Sequence, residues 1–222
     1  MSKTILDLCG GTGAWSKPYA DAGYNVKLIT LPRYDVTRID FDIYAMHFQR
    51  IDVHYEDTLC VLYEDLYGIF AAPPCTEFSI AKGAQPRDLK AGMDIVEACM
   101  KIIWQTQFHT RLNFWALENP RGLLRRFLGV PKYTFEQWQF GHDGVKSTDL
   151  WGCFNNPIPT IKQKPEDLVK RHPKGRANGR GMSNPKCPDD YKHMDLNRAD
   201  KRAITPAGFA KAFYKANAKE GV

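Results

Sequence analysis

Thr4-Ile5-Leu6-Asp7-Leu8-Cys9-Gly10-Gly11-Thr12-Gly13 is an apolar run that enters a glycine-rich turn, and it sets the fold class of this 222-residue chain. Residues 14–22, which follow the turn, predict a short helix. A strand, a glycine turn and a helix in succession are typical of an α/β sheet that takes a ligand at the turn. Glycine permits such a turn and lets a ligand approach the backbone. A purely structural glycine turn fits the same residues.

The same alternation continues along the chain. Residues 26–31, 67–71 and 113–117 are apolar runs that predict strands, and residues 135–140 and 149–154 predict a further strand pair. The apolar spacing over residues 88–108 predicts an amphipathic helix. Thr205 and Pro206 predict the N-cap and first position of a last helix. Strands that alternate with helices predict an α/β fold with a mostly parallel, doubly wound sheet.

A proline-rich signature follows the strand at residues 67–71. It reads Ala72-Pro73-Pro74-Cys75-Thr76, and its two prolines fix the chain that leads into Cys75. A rigidly presented thiol is a candidate nucleophile if its surroundings favour the thiolate. A small cysteine buried in a proline-rich loop is the alternative.

A polar signature, Glu118-Asn119-Pro120, follows the strand at residues 113–117. The carboxyl ends of parallel strands meet at one edge of a sheet, so we expect Glu118 and Cys75 to share a cleft. Partial burial would raise the pKa of Glu118 and let it protonate a ring nitrogen. A glutamate that caps a helix or forms an ion pair is the alternative.

Composition and charge exclude several classes of protein. Apolar residues make up 43% of the chain and charged residues 25%, which is ordinary for a globular domain. No apolar run approaches the ~18 residues of a membrane span. The six scattered cysteines predict reduced thiols and a cytoplasmic protein. Cys153, His172, Cys187 and His193 match no standard zinc spacing, so no metal site is expected.

The positive charge is concentrated late in the chain. The net charge is +6, and residues 162–202 alone hold 12 basic and 6 acidic residues. This stretch is also rich in proline, glycine and asparagine. It predicts a small irregular basic lobe that contacts a polyanion, with a solvated surface loop as the alternative.

In this order, the glycine, Pro-Pro-Cys and Glu-Asn motifs resemble those of the DNA cytosine-5 methyltransferase family. Small phage and bacterial members are most similar, since Gln139-Phe140-Gly141 and residues 146–151 also resemble theirs. The resemblance covers roughly residues 4–154 and 203–217. It implies a Rossmann-like sheet of the S-adenosylmethionine-dependent methyltransferase type, DNA as partner and no obligate protein partner. It also implies the cytoplasm of a bacterial or phage-infected cell.

The family's mechanism would map onto this chain as follows. Cys75, as a thiolate, attacks C6 of a cytosine that has left the base stack. Glu118 hydrogen-bonds N3 of the ring. C5 then takes a methyl group from S-adenosyl-L-methionine. Residues 76–92 would be the loop that closes over the target base.

The resemblance also assigns residues and regions to these roles. The catalytic residues would be Cys75, Glu118, Asn119, Lys146 and Thr148. The cofactor would lie against Asp7, Leu8, Gly10, Gly11, Thr12, Gly13, Trp15, Leu31, Asp35, Pro73 and Thr205. The substrate would contact Pro74, Ser79, Arg87, Arg171, Lys174, Arg176 and Arg180. Residues 1–154 would form the catalytic and cofactor-binding domain, residues 155–202 the target-recognition lobe, and residues 203–222 a helix that packs back on the catalytic domain.

The chain departs from the family pattern at several places, and two of them concern the cofactor ribose and the flipped base. Thr30-Leu31-Pro32 stands where members usually end the second strand with an acidic residue for the cofactor ribose, and Asp35 is the candidate substitute. The family's Gln-x-Arg-x-Arg motif has no match, so Lys146 and Thr148 are the nearest candidates for the flipped base. Two rivals therefore remain: a C5 methyltransferase for RNA or a free pyrimidine nucleotide, and a relative that binds DNA without methyl transfer.

Overall fold

The computed structural model describes residues 3–51, 58–171 and 187–219, and the side chains of residues 169–171 are outside that description. Its strands fall into two sheets, of six and three strands. The strands are β1 (Thr4–Leu8), β2 (Asn25–Ile29), β3 (Tyr34–Phe41), β4 (Ala45–Arg50), β5 (Thr58–Leu62), β6 (Leu66–Ala71), β7 (Phe114–Pro120), β8 (Tyr133–Glu136) and β9 (Ser147–Cys153). The α-helices of the described ranges are α1 (Lys17–Asp21), α2 (Leu89–His109), α3 (Arg125–Leu128), α4 (Glu166–Arg171), α5 (Arg198–Ala203) and α6 (Ala207–Asn217).

The larger sheet has the strand order β2-β1-β6-β7-β9-β8. The strands β2, β1, β6 and β7 pair in parallel, whereas β9 is antiparallel to both of its neighbours. The predicted α/β class with a mostly parallel sheet is thus confirmed, and the sheet is mixed at one edge. The strand pair expected from residues 135–140 and 149–154 forms that edge, with β8 ending at Glu136 and a 3-10 turn (Gln137–Phe140) following it.

Each face of the larger sheet carries a hydrophobic core. On one face, Leu6 and Ile69 join a cluster with Val96 and Ile103 of α2. On the other face, Ile5 and Phe70 join a cluster that contains Tyr19 of α1 and three residues of α6. Alternate residues of β1 and of β6 therefore serve opposite faces, as the twofold period of a strand requires. Apolar residues at nearly every position suit strands that are covered on both sides.

The helix predicted over residues 88–108 is confirmed as α2. Asp88 is its N-cap and accepts a hydrogen bond from the backbone N–H of Ala91 at 2.9 Å. The helix buries Val96, Cys99 and Ile103 at spacings of three and four, which places them on one face.

Two other helices start later than predicted. The helix expected over residues 14–22 is α1, which begins at Lys17 and has Pro18 in its first turn. The last helix begins at Ala207, one residue after the predicted start, so Thr205 is not its N-cap. The carbonyl of Pro206 accepts the first helical hydrogen bond, from Ala210, and this puts Pro206 itself at the N-cap position.

The smaller sheet lies in a region where no element was predicted. Its strands β3, β4 and β5 are antiparallel, and Met46, Phe48 and Val61 extend the core that α2 also joins. The pairing of β3 with β4 shifts register between Tyr34 and Ile39. This irregularity and the exposed charges of Arg38 and Asp40 break the alternation by which a strand is predicted from sequence. In the described part of the chain, no helix is both long and apolar enough to cross a membrane.

Candidate active site

Cys75 lies just past the carboxyl end of β6. The strand pairing extends beyond the strand itself, because the N–H of Ala72 donates to the carbonyl of Leu8 at 2.9 Å. Pro73 is buried and Pro74 is exposed, and the chain then turns so that Phe78 and Ser79 donate their N–H groups to the carbonyl of Cys75. The Cys75 side chain is thus held at the edge of the sheet, partly exposed.

Glu118 lies near the end of β7, the neighbouring strand. The following residue, Asn119, is fully buried and donates from its side-chain nitrogen to the carbonyl of Pro73 at 3.0 Å. This bond ties the end of β7 to the Pro-Pro-Cys segment. The structure therefore brings Cys75, Glu118 and Asn119 together, as the positions of their motifs at strand ends suggested.

Burial and charge act on Cys75 and Glu118 together. Burial raises the pKa of the Glu118 carboxyl, with Lys146 opposing the rise and Asp149 adding to it. Burial likewise raises the pKa of the Cys75 thiol, with Lys146 opposing the rise, Glu118 adding to it and Arg202 opposing it. The two groups are close enough for the charge of Glu118 to act on the thiol. At neutral pH this arrangement favours a protonated Glu118 more than an exposed glutamate would allow.

The cations Lys146 and Arg202, whose charges act on Cys75, lie outside the parallel strands. Lys146 precedes β9, and its ammonium donates to the carbonyl of Arg202 in α5 at 3.4 Å. Thr148 is buried on β9 opposite Pro120, with its hydroxyl 3.5 Å from the carbonyl of Lys146. Lys146 is close enough to Cys75 and Glu118 for its charge to act on both, while the Thr148 hydroxyl is turned toward the chain's own backbone.

The glycine turn follows β1 at the same edge of the sheet. Cys9, Gly11 and Gly13 have φ values of 56°, 55° and 71°, a region that favours glycine. A side chain at Gly10 would place its Cβ 2.3 Å from Oδ1 of Asp7. Gly10 is thus required because Asp7 lies directly beneath the turn.

The buried carboxyl of Asp7 has a hydrogen-bond partner for one of its two oxygens. Its Oδ2 accepts a hydrogen bond from the Ser16 hydroxyl at 2.5 Å, and its Oδ1 has no partner among the described residues. Burial raises the pKa of Asp7 to about 7, and the bond from Ser16 opposes that rise. A buried oxygen without a partner is rare in a folded protein, and it marks a place where a bound water, an ion or a functional role accounts for it.

The other residues predicted to hold a cofactor are dispersed. Leu8 is buried in the core and Leu31 is largely exposed. Trp15 is also in the core, where its ring lies 4.4 Å from that of Phe70. Asp35 belongs to β3, and its Oδ1 accepts hydrogen bonds from the backbone N–H and the hydroxyl of Thr37. Thr12 and Pro73 remain beside the turn and the nucleophile segment, respectively.

A cavity of about 580 Å³ lies between the starts of α1 and α6. Its lining includes Lys17, His142, Tyr191 and Thr205. Thr205 is thus the predicted cofactor residue that borders this cavity, and Ala14, directly after the glycine turn, borders it as well. The volume of the cavity alone does not assign it a ligand.

The segment after Cys75 is fastened by its own side chains. Glu77 accepts two hydrogen bonds from Lys82 and one, at 2.7 Å, from the N–H of Asp88. Arg87, predicted to contact substrate, donates instead to the carbonyls of Glu77, Ser79 and Gly83. Ser79, also predicted to contact substrate, accepts from the N–H of Ala81 and caps a 3-10 turn. In this conformation both predicted contacts are engaged within the segment.

The basic residues that were predicted to contact substrate late in the chain lie almost entirely outside the described residues. Lys174, Arg176 and Arg180 lie outside the described residues, and Arg171 is described only as the last backbone position of α4. Arg202 was not predicted to belong to the site, although it ends the same basic stretch. The only sequence signal for Arg202 was its place in that stretch, since its approach to Cys75 depends on how α5 packs. His142 and Ser16 were likewise not predicted.

Comparison with known proteins adds no relative. No family model matches the chain, and a search of curated proteins finds no match.

Proposed function

We propose that this protein transfers a methyl group from S-adenosyl-L-methionine to C5 of cytosine in DNA. The observation that carries the proposal is the proximity of Cys75 and Glu118, which lie at the ends of the adjacent parallel strands β6 and β7, close enough for the charge of Glu118 to act on the thiol. Asn119 fixes the two strand ends to each other through the carbonyl of Pro73. A thiol beside a carboxyl of raised pKa suits activation of a pyrimidine ring.

The chemistry follows from the weakness of C5 of cytosine as a nucleophile. The Cys75 thiolate forms a bond to C6, and the electron pair of the C5–C6 double bond becomes available at C5. A protonated Glu118 donates its proton to N3, so the negative charge that would develop on the ring resides on the carboxylate instead. C5 takes the methyl group as the sulfur–carbon bond of the donor breaks and its electron pair stays on the donor sulfur. The C5 proton then leaves to solvent water, and the N3 proton returns to Glu118. The Cys75–C6 bond then breaks, and its electron pair returns to sulfur.

The residues at the glycine turn fit a cofactor with an amino-acid end in part. S-Adenosyl-L-methionine, when bound, supplies the electrophilic methyl group. Gly10 and Gly11 leave the turn free of side chains, and Oδ1 of Asp7 is a buried acceptor without a partner in the described ranges. The end of β2 lacks an acidic residue for the ribose, and Asp35 is committed to Thr37. Our proposal places the amino-acid end at the turn and leaves the ribose contacts to other groups.

The finer features of the fold and partner belong to the same proposal. A Rossmann-like, doubly wound sheet agrees with helices α2 and α6 on opposite faces of the larger sheet. DNA as the polymer agrees with the net charge of +6 and its concentration in residues 162–202. A target-recognition lobe in residues 155–202 and a cytoplasmic setting in a bacterial or phage-infected cell complete the proposal.

Nucleoside mass spectrometry tests this function. The purified protein is incubated with S-adenosyl-L-methionine and, separately, unmodified DNA, RNA and free cytidine nucleotides, with Cys75→Ala as the control. We expect 5-methyldeoxycytidine from DNA with the unaltered protein and none with the variant. If 5-methylcytidine forms only with RNA or only with the nucleotides, the substrate is RNA or a free nucleotide instead of DNA. If the folded protein binds DNA but forms no modified base, a role in DNA binding without methyl transfer replaces the proposal.

A further inference from the structure

Two segments from different strand ends meet beside the candidate nucleophile. The N–H of Leu123 donates to the carbonyl of Phe78 at 2.9 Å, and Ser79 and Gly122 form an isolated antiparallel bridge. A side chain at Gly122 would place its Cβ 2.3 Å from the carbonyl oxygen of Phe78. The two backbones therefore lie so close that they form one continuous surface.

We call residues 79–83 and 121–128 together the rim surface. The first range begins where the N–H of Ser79 donates to the carbonyl of Cys75 at 2.8 Å, and the second begins directly after β7. These connections fix the rim surface next to Cys75 and next to the strand that carries Glu118.

The rim surface is positively charged. Residues 121–132 contain four basic residues and no acidic residue. Arg125 is paired with a buried aspartate of β9, whereas Arg121 and Arg126 are exposed. Glu136 lies within electrostatic range of Arg121 and is partly buried, so it offsets part of this charge. The remaining positive charge suits an anionic partner.

The rim surface also exposes large apolar side chains among these cations. Ile80 is 64% exposed and Phe127 is 47% exposed. Phe127 rests on the fully buried Phe78, with the ring centroids 6.1 Å apart, and Ile80 begins a 3-10 turn that ends at Lys82. Such a surface suits a partner that has both negative charge and apolar faces. A nucleic acid strand has both, in its phosphates and in its sugars and bases.

We propose that the rim surface binds the DNA strand on which the target base lies, with Arg121 and Arg126 on phosphates and Ile80 on a sugar or a base. The inference rests on the proposed function in taking DNA as the partner. It adds a second region of contact to the basic stretch of residues 162–202. Because the rim surface is fixed next to Cys75, these contacts hold the strand beside the nucleophile.

The test separates the charged contacts from the apolar one. Fluorescence anisotropy with a labelled DNA duplex gives the affinity over a series of salt concentrations, without S-adenosyl-L-methionine. Arg121→Gln and Arg126→Gln should each make the slope of log affinity against log salt shallower by about 0.9, because each loses one phosphate contact. Arg121→Lys and Arg126→Lys should keep the slope, since lysine keeps the charge.

Two further variants complete the experiment. Ile80→Ser should weaken binding roughly three- to tenfold at an unchanged slope, because loss of an apolar contact releases no counterion. Arg111→Gln is the matched control for the arginine variants. Arg111 is exposed and precedes the amino end of β7, at the opposite edge of the larger sheet, so its loss should leave the slope unchanged.

Several results would overturn the proposal. An unchanged slope in both Arg121→Gln and Arg126→Gln, with the melting temperature intact, is one. An equal change in Arg111→Gln is another, since it would indicate a general effect of net charge, and failure of the folded protein to bind the duplex is a third. Unchanged affinity in Ile80→Ser would remove the apolar contact. Binding requires no methyl transfer, so a shallower slope stands even if no modified base is found. Methylation of DNA with unchanged slopes would remove the rim surface alone.

Discussion

At the scale of single residues, the ionisation of Asp7, beneath the glycine turn, makes the stability of the folded protein depend on pH. Its carboxyl is fully buried and its folded-state pKa is about 7, whereas an unfolded aspartate titrates near a pKa of about 4. Between these two values the folded protein binds a proton that the unfolded chain does not bind. The stabilisation from this proton is therefore complete below pH ~4 and is lost as the pH rises through ~7.

Asp7→Asn should remove this dependence on pH. In the unaltered protein, the contribution of Asp7 to the free energy of unfolding should fall by ~2–3 kcal/mol between pH 5 and pH 8. The asparagine keeps the shape of the side chain and has no proton to lose, so that fall should be absent in the variant. Urea denaturation at both pH values measures the difference. An equal fall in the two proteins would show that Asp7 does not titrate in this range.

The sequence located some site residues and could not locate others. Cys75 and Glu118 were found because each follows an apolar strand directly, and strand ends in parallel sheets share an edge. Arg202 and Glu77 were not found, because their roles depend on the packing of α5 and on a local network after Cys75. Arg87 was assigned to substrate through the family resemblance, and the structure places it on three carbonyls of its own segment.

At the scale of elements, the segment between β6 and α2 is held closed by Glu77. Its carboxylate accepts from Lys82 and from the N–H of Asp88. Lys82 lowers the pKa of Glu77 through this hydrogen bond, so the ionised form persists until well into the acidic range. The segment that would close over a substrate base is thus already fastened next to Cys75.

Glu77→Gln should loosen this segment. The glutamine keeps the side-chain shape and loses the charge, which weakens the bond from Lys82. We expect hydrogen exchange of the backbone N–H groups over residues 77–88 to become several-fold faster, with the core strands unchanged. Asp94→Asn, in the exposed pair with Lys90, is the matched control. Exchange that is equal in the two variants would contradict a fastening role for Glu77.

Prediction of the elements succeeded where hydrophobic patterns were regular. The strands β1, β6 and β7 and the helix α2 carry such patterns, and their ends were placed to within about three residues. The smaller sheet was not predicted, since β3 changes register and carries exposed charged residues among its apolar ones. The start of α6 was one residue off, because threonine is a common N-cap and the structure uses Pro206.

At the scale of the whole molecule, the parallel core of the sheet sets which motifs can meet. The strands β1, β6 and β7 are adjacent and parallel, so the glycine turn, Cys75 and Glu118 all lie at one edge. The antiparallel strand β9 then delivers Lys146 to the same place from the opposite direction. The sequence predicted that the motifs at the ends of the parallel strands meet at one edge of the sheet. The direction of β9 depends on tertiary pairing and was not predicted.

The distribution of charge predicts how binding responds to salt. If residues 162–202 contact DNA phosphates, the logarithm of affinity should fall linearly with the logarithm of salt concentration. Reversing Arg176 and Arg180 to glutamate should weaken binding and make that slope shallower. Fluorescence anisotropy with a labelled duplex measures both quantities, and Lys90→Glu on α2 is the control. An unchanged slope in the double variant would assign these two residues to a solvated surface.

The central claim is that Cys75 forms a bond to C6 of cytosine, and a trapped adduct tests it most directly. In DNA that carries 5-fluorodeoxycytidine, C5 has no proton to lose after methylation, so the sulfur–C6 bond cannot be released. We predict a covalent complex that requires S-adenosyl-L-methionine, maps by peptide mass spectrometry to Cys75, and is absent in Cys75→Ala. Methylation of ordinary DNA without any such complex, or a complex at another cysteine, would contradict the account.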